Sequence, residues 1–187
     1  MHLYWRQLMI VIDLETTGLL MPEASDIREQ PHIIEFAGIK LDNDFKGVGQ
    51  LEFLVNPGFP LPEQIIKITN LKDEDLKDKP PFVSYFDKLA EFFLGEDTIV
   101  AHNLPFDKGI LKHNLIRIDK VTNFPWPPKQ LCTVEISQQV WGKKRKLVDI
   151  YKEVTGQEHK GAHRAMADVK ATVEVLRWFK AKGHLDD

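Results

Sequence analysis

Leu8-Met9-Ile10-Val11-Ile12-Asp13-Leu14-Glu15-Thr16-Thr17-Gly18 starts as an unbroken apolar run and ends on two carboxylates. The run predicts a strand covered on both faces, as at the centre of an α/β sheet. Residues two apart on a strand share a face, so Asp13 and Glu15 emerge side by side at its end. Two like charges in a crevice of low dielectric repel each other and resist ionisation unless a cation joins them. Carboxylate oxygens are hard ligands that suit Mg²⁺ or Mn²⁺. Open sheets also place ligands in the crevice beyond the carboxyl ends of their strands. The tripeptide alone is a weak signal, because an Asp-x-Glu is more often a pair of solvated acids.

Outward from this strand, residues 33–41 read as a second strand, 42–44 as a hairpin turn and 47–55 as a third strand. Three strands at hairpin spacing imply an antiparallel meander. The pattern then turns helical: 62–68, 72–76, and 81–94 with Phe82, Tyr85, Phe86, Leu89, Phe92 and Phe93 at helical spacing, a stripe expected in the core. Residues 98–101 are a short buried strand that runs into a helix begun by Pro105. Residues 20–31, 123–128 and 156–161 read as loops, and 131–141 is open between a strand start and a helix. Helices follow over 146–154 and 164–182, the last stopped by Gly183.

With 187 residues the chain is expected to form one domain, 1–187. Hydrophobic residues at 43% and charged residues at 28% exclude a disordered, collagen-like or coiled-coil chain. No apolar run approaches the roughly 20 residues of a membrane span, and Met1-His2-Leu3-Tyr4-Trp5-Arg6 lacks the apolar core of a signal peptide. The single cysteine, Cys132, rules out an internal disulfide and a cysteine-based zinc site, and a reducing cytoplasm is the expected setting. The net charge of −3 hides an asymmetry. Residues 1–110 carry 10 Lys and Arg against 19 Asp and Glu, a balance of −9; residues 111–187 carry 15 against 9, a balance of +6. An acidic pocket beside a basic surface fits that split.

Two further acids join the pair. Asp107 falls in the first turn of the helix begun by Pro105, where a carboxylate alone would merely stabilise the helix dipole. Asp168 sits one turn into the last helix among Ala165, Met166, Ala167 and Val169, where its charge is expected to lack a partner. His163 is five residues earlier, about 140° away on a continuous helix, and is therefore expected in the preceding loop.

Asp13-Leu14-Glu15-Thr16-Thr17-Gly18-Leu19, His102-Asn103-Leu104-Pro105-Phe106-Asp107 and His163-Arg164-Ala165-Met166-Ala167-Asp168 together resemble, in order, the three motifs of the DnaQ-like, or DEDDh, 3′→5′ exonucleases. Ile33-Ile34-Glu35, Ile68-Thr69-Asn70-Leu71 and Leu147-Val148-Asp149-Ile150-Tyr151 look similar to the intervening stretches. The histidine, five positions before the last aspartate, favours the histidine branch over the tyrosine branch. The loop over 20–32 is slightly longer than the commonest form, and 123–128 is unusually rich in proline.

The resemblance implies an α/β, ribonuclease H-like fold: a five-stranded mixed sheet flanked by helices. It implies two divalent ions, Mg²⁺ or Mn²⁺, held by Asp13, Glu15, Asp107 and Asp168, with His163 as general base. It also implies that Thr16, Gly18, Leu19 and, more weakly, Asn103 seat the 3′-terminal nucleotide. Lys143-Lys144-Arg145-Lys146, with Lys152, Lys160 and Arg164, is expected to track phosphates. The expected activity is release of nucleoside monophosphates from 3′ ends, with single-stranded DNA as first choice. RNA trimming, or a catalytically silent nucleic-acid-binding module, are the alternatives. Nucleic acid 3′ ends are the expected partners, with a polymerase or other replication or repair complex as a further one and no membrane.

Overall fold

The computed structural model describes residues 8–23 and 25–185; Met1–Arg6, read above for a leader, and the outer ends of the expected 1–187 domain lie outside them. Strands β1 (Met9–Thr16), β2 (Ile33–Leu41), β3 (Gly47–Leu54), β4 (Thr98–Ala101) and β5 (Lys129–Cys132) form one sheet in the order β3-β2-β1-β4-β5. β1, β2 and β3 pair antiparallel, the predicted meander, whereas β4 runs parallel to β1 and β5 parallel to β4. Seven α-helices among the described residues flank the sheet: α1 (Glu63–Thr69), α2 (Asp73–Leu76), α3 (Phe86–Phe93), α4 (Leu104–Arg117), α5 (Thr133–Trp141), α6 (Leu147–Thr155) and α7 (Ala165–Ala181). No helix among the described residues is long and apolar enough to cross a membrane.

The unbroken apolar run of β1 follows from cover on both faces. Ile10, Ile12 and Leu14 enter a cluster with Phe36, Phe93 and Ile110, on the side of α3 and α4. Val11 points the other way, into a cluster with Val169, Val173 and Leu176 of α7. Each such side chain, once fully buried, stabilises the fold by roughly 1.5–3 kcal/mol. Close seating of α3 explains Gly38 in the middle of β2, since a Cβ there would stand 2.7 Å from the Phe92 ring.

Two elements depart from the sequence reading. The helix expected over 81–94 splits into a 3-10 turn, Phe82–Tyr85, and α3. Tyr85 is held at the junction: its ring stacks on Phe53 with centroids 4.1 Å apart, and its hydroxyl donates to the Leu54 carbonyl at 3.0 Å. The ambiguous 131–141 segment resolves into a strand and a helix, and the strand starts earlier, at the exposed Lys129 and Gln130 of the sheet edge. Helix α4 runs on to Arg117 across a buried polar residue, Asn114. The Asn114 Oδ1 accepts from the Ile33 N–H at 3.3 Å, while its Nδ2 donates to the Pro31 and Ile110 carbonyls.

Candidate active site

Strand alternation decides where the acids go. Asp13 and Glu15 continue the face of Val11, the face that packs on α7, and so project toward the first turn of that helix, where Asp168 lies. Asp107 approaches from α4, whose first turn follows directly on β4, the parallel neighbour of β1. Its Oδ1 accepts from the Leu14 N–H at 3.2 Å, which ties the helix to the strand that carries the other two acids. Glu15, His163 and Asp168 bring one ligand atom each within 4.8 Å of the others. Asp13, His163 and Asp168 line one cleft of about 650 Å³, together with Asn103 and residues 144–146.

Asp13 and Glu15 are half-buried, and burial is the largest influence on both carboxyls. Burial, then the charges of Asp107, Asp168, Glu15 and Glu35, push Asp13 well above the usual carboxylate range. Glu15 is pushed up to about 8 by burial, then by Asp168 and Glu35, with Arg164 pulling the other way. Asp107 is also raised by burial, against the opposing hydrogen bond from Leu14. A donor set of crowded, desolvated carboxylates that resist ionisation fits hard divalent cations, which favour the ionised oxygens.

His163 lies outside α7, as its spacing required. It adopts the left-handed backbone (φ 66°), uncommon for a residue with a Cβ, and its side chain is exposed. The strain is held from both sides. Its N–H donates to the Asp168 Oδ2 at 2.9 Å. The next residue, Arg164, grips Glu35 through Nε at 3.1 and 3.3 Å and Nη2 at 2.9 Å, and the Ala165 N–H donates to the same carboxylate at 3.1 Å. Asp168 therefore does not stand without a partner as expected: it accepts from His163 and also meets the Nε2 of His159.

The turn after β1 is closed by its own polar groups. The Thr16 hydroxyl donates to the Gly18 carbonyl at 2.6 Å, the Thr17 N–H to the His32 carbonyl at 2.9 Å, and the His32 N–H to Thr17 Oγ1 at 2.9 Å. Gly18 has open space where a Cβ would sit, and the leucine after it, Leu19, is 79% exposed. Asn103 caps α4 in the left-handed conformation and faces the cleft.

Sequence reasoning missed Glu35, His159 and His102 as parts of this site. Glu35 did carry a signal: it interrupts an apolar strand, and it pairs in register with Glu15. His159 gave none, standing in a polar loop nine residues before the aspartate it touches. The expected phosphate-tracking group is also smaller than its basic residues suggested. Arg164 is committed to Glu35, Lys152 to Glu158 and Arg145 to Glu153.

A family model described as exonuclease matches residues 10–176. The PolC-type DNA polymerase III of Clostridium perfringens is 28% identical over 180 residues, 95% of this chain and 12% of that one. The chain spans 11 to 43% of the length of the bacterial relatives it matches. Among solved structures, the zinc-bound complex of Escherichia coli exonuclease I with single-stranded DNA superposes with a TM-score of 0.81 at 18% identity, covering 95% of this chain and 41% of that one. The nuclease domain of the DEDDh enzyme 3′hExo, bound to rAMP, superposes with a TM-score of 0.77 at 15% identity, covering 96% and 94%. These likenesses bear out the ribonuclease H-like fold. With a family model matched over residues 10–176, the chain belongs to the exonuclease family.

Proposed function

We propose that this chain is a 3′→5′ exonuclease that releases nucleoside 5′-monophosphates from nucleic acid ends. The observation that carries the reading is the crowding of Glu15, Asp107 and Asp168 about Asp13, at a cleft lined by Asp13, Asp168 and His163. Asp13, Glu15, Asp107 and Asp168 would hold two divalent ions, Mg²⁺ or Mn²⁺. When bound, such ions neutralise phosphate charge, lower the pKa of water and stabilise the departing oxygen.

His163 takes a proton from the attacking water, a role suited to an exposed imidazole with a ring nitrogen within 4.8 Å of Glu15 and Asp168 and a main chain tied to Asp168. The water oxygen bonds to phosphorus and the bond to the 3′ oxygen of the preceding nucleotide breaks. That oxygen gains a proton as the new 3′-hydroxyl, and the terminal nucleotide leaves as its 5′-monophosphate. Thr16 and Gly18 offer their backbone to the terminal 3′-hydroxyl, Leu19 packs against the last base, and Asn103 borders the sugar.

Single-stranded DNA is the proposed first substrate, and a replication or repair polymerase in the cytoplasm a proposed partner. The polymerase relatives and the fold shared with a single-strand DNA exonuclease support this. One observation favours RNA ends as a second reading, the likeness to a domain that binds rAMP. Digestion of end-labelled single-stranded DNA, duplex DNA and RNA side by side in Mg²⁺ or Mn²⁺ tests both. A stepwise ladder on DNA at the highest rate supports the first reading, and one on RNA the second.

A further inference from the structure

The cleft that holds the acids has a second wall of opposite charge. Lys144, Arg145 and Lys146 line it, facing Asp13, His163 and Asp168. Within this stretch Arg145 is occupied, paired to Glu153 with its guanidinium 4.8 Å above the Trp141 ring. Lys144 and Lys146 are exposed, and no ion pair with a carboxylate engages either among the described residues.

A lysine-rich loop is ordinarily a solvated, mobile face. This one is fastened. Gly142, in the left-handed conformation at φ 72°, ends α5 and turns the chain toward the cleft. The Arg145 N–H donates to the Ser137 Oγ at 3.1 Å, and the Arg145 carbonyl lies 3.1 Å from the His102 Nε2. A carbonyl can only accept, so His102 carries its proton on Nε2, and its Nδ1 accepts from the Thr133 hydroxyl at 2.8 Å. Thr133 and Ser137 are fully buried. The backbone between the two lysines is therefore pinned at both its polar groups to α5 and to the end of β4, beside the acids. Pinning removes much of the ordering cost that a flexible loop would bear on binding.

From this we infer that Lys144 and Lys146 form a phosphate clamp for the strand whose 3′ end enters the cleft. They bind the phosphodiester backbone upstream of the bond to be cut, with no demand on base identity. The inference rests on the exonuclease reading above for the direction in which the strand lies. It adds the surface that keeps the strand in register between successive cuts. Point charges on long stems suit this task, since a Lys ammonium meets a phosphate without the fixed geometry of an Arg fork.

The test compares wild type, the double variant Lys144→Ala/Lys146→Ala and a control of equal charge change, Lys46→Ala/Lys88→Ala, whose lysines lie outside the cleft. Each is assayed on a single-stranded oligonucleotide and on p-nitrophenyl thymidine 5′-phosphate, an ester with no upstream phosphates. Oligonucleotide binding is measured separately, by anisotropy in Ca²⁺. For the cleft variant, the ratio of kcat/KM on oligonucleotide to that on ester should fall at least tenfold, through KM. The slope of log affinity against log salt should become shallower by about 1.4, at about 0.7 per phosphate contact. The control should keep both values. An unchanged ratio and slope in the cleft variant, with wild type active, overturns the clamp and leaves the exonuclease reading standing. Lysine-dependent binding by a wild type that hydrolyses neither substrate supports the clamp and overturns the exonuclease reading.

Discussion

The backbone N–H of His163 donates to the carboxylate of Asp168 at 2.9 Å, so the proposed base and a proposed metal ligand share one hydrogen bond. The bond uses the main chain of the histidine and leaves its ring free. It joins the loop before α7 to the first turn of that helix, and it explains why a residue with a Cβ tolerates a left-handed backbone here.

Replacing His163 by Ala leaves that main-chain bond and all four carboxylates in place. Turnover should fall about 10²–10⁴-fold, the usual contribution of a positioned general base. Melting temperature, metal affinity and oligonucleotide affinity should stay close to wild type, and added imidazole should restore part of the rate. A fully active variant of lowered stability would instead make His163 a structural residue.

The crowded carboxyls predict how stability responds to pH and to metal. Glu15 is raised from 4.5 to about 8, and Asp13 and Asp107 are raised as well. Groups raised on folding contribute stability at pH below their unfolded values and lose it as pH rises through the folded ones. In EDTA the melting temperature should therefore fall between pH 6.5 and 8. Mg²⁺ or Mn²⁺ should raise it, and by more at pH 8 than at 6.5. Glu15→Gln should flatten the decline. Calorimetry across that window, with and without metal, is the check.

Arg164 and Glu35 make a second mechanical link, from β2 to the residue next to His163. Removing the guanidinium leaves Glu35, 8% exposed, without its cation. Because the arginine is itself half exposed, the expected loss for Arg164→Ala is about 1–2 kcal/mol, less than for a fully buried pair. Turnover should fall with it. Arg164→Lys should recover part of the stability and little of the rate, since lysine cannot reproduce the fork on Glu35. Melting curves and kcat for the two variants separate these effects.

Leu19 offers a test of substrate contact without stability. At 79% exposure it contributes little to the core, so Leu19→Ala should change stability by less than about 0.5 kcal/mol. If it packs on the terminal base, KM for a single strand should rise severalfold. An unchanged KM would remove it from the site.

Much of this was readable before any coordinates. The run ending in Asp13-Leu14-Glu15 located the central strand and the face of its acids, because strand alternation is local. The five-residue gap before Asp168 put His163 in the loop for the same reason. What escaped depended on contacts between distant segments. Glu35 becomes significant only once β2 pairs with β1 and α7 lands on both, 129 residues away in sequence. The basic run could not be divided from sequence, because the partners that occupy Arg145, Lys152 and Arg164 are set by packing.

The central claim is hydrolysis from a free 3′ end by a metal-dependent site. A 5′-labelled single strand with a 3′-hydroxyl, the same strand with a 3′-phosphate and a covalently closed single-stranded circle should be incubated with the protein in Mg²⁺, and again in excess EDTA. The account predicts a ladder shortening from the 3′ end with release of mononucleotides. It also predicts a resistant phosphorylated strand, an intact circle and no products in EDTA. Cleavage of the circle at a comparable rate, or full activity in EDTA, would contradict it.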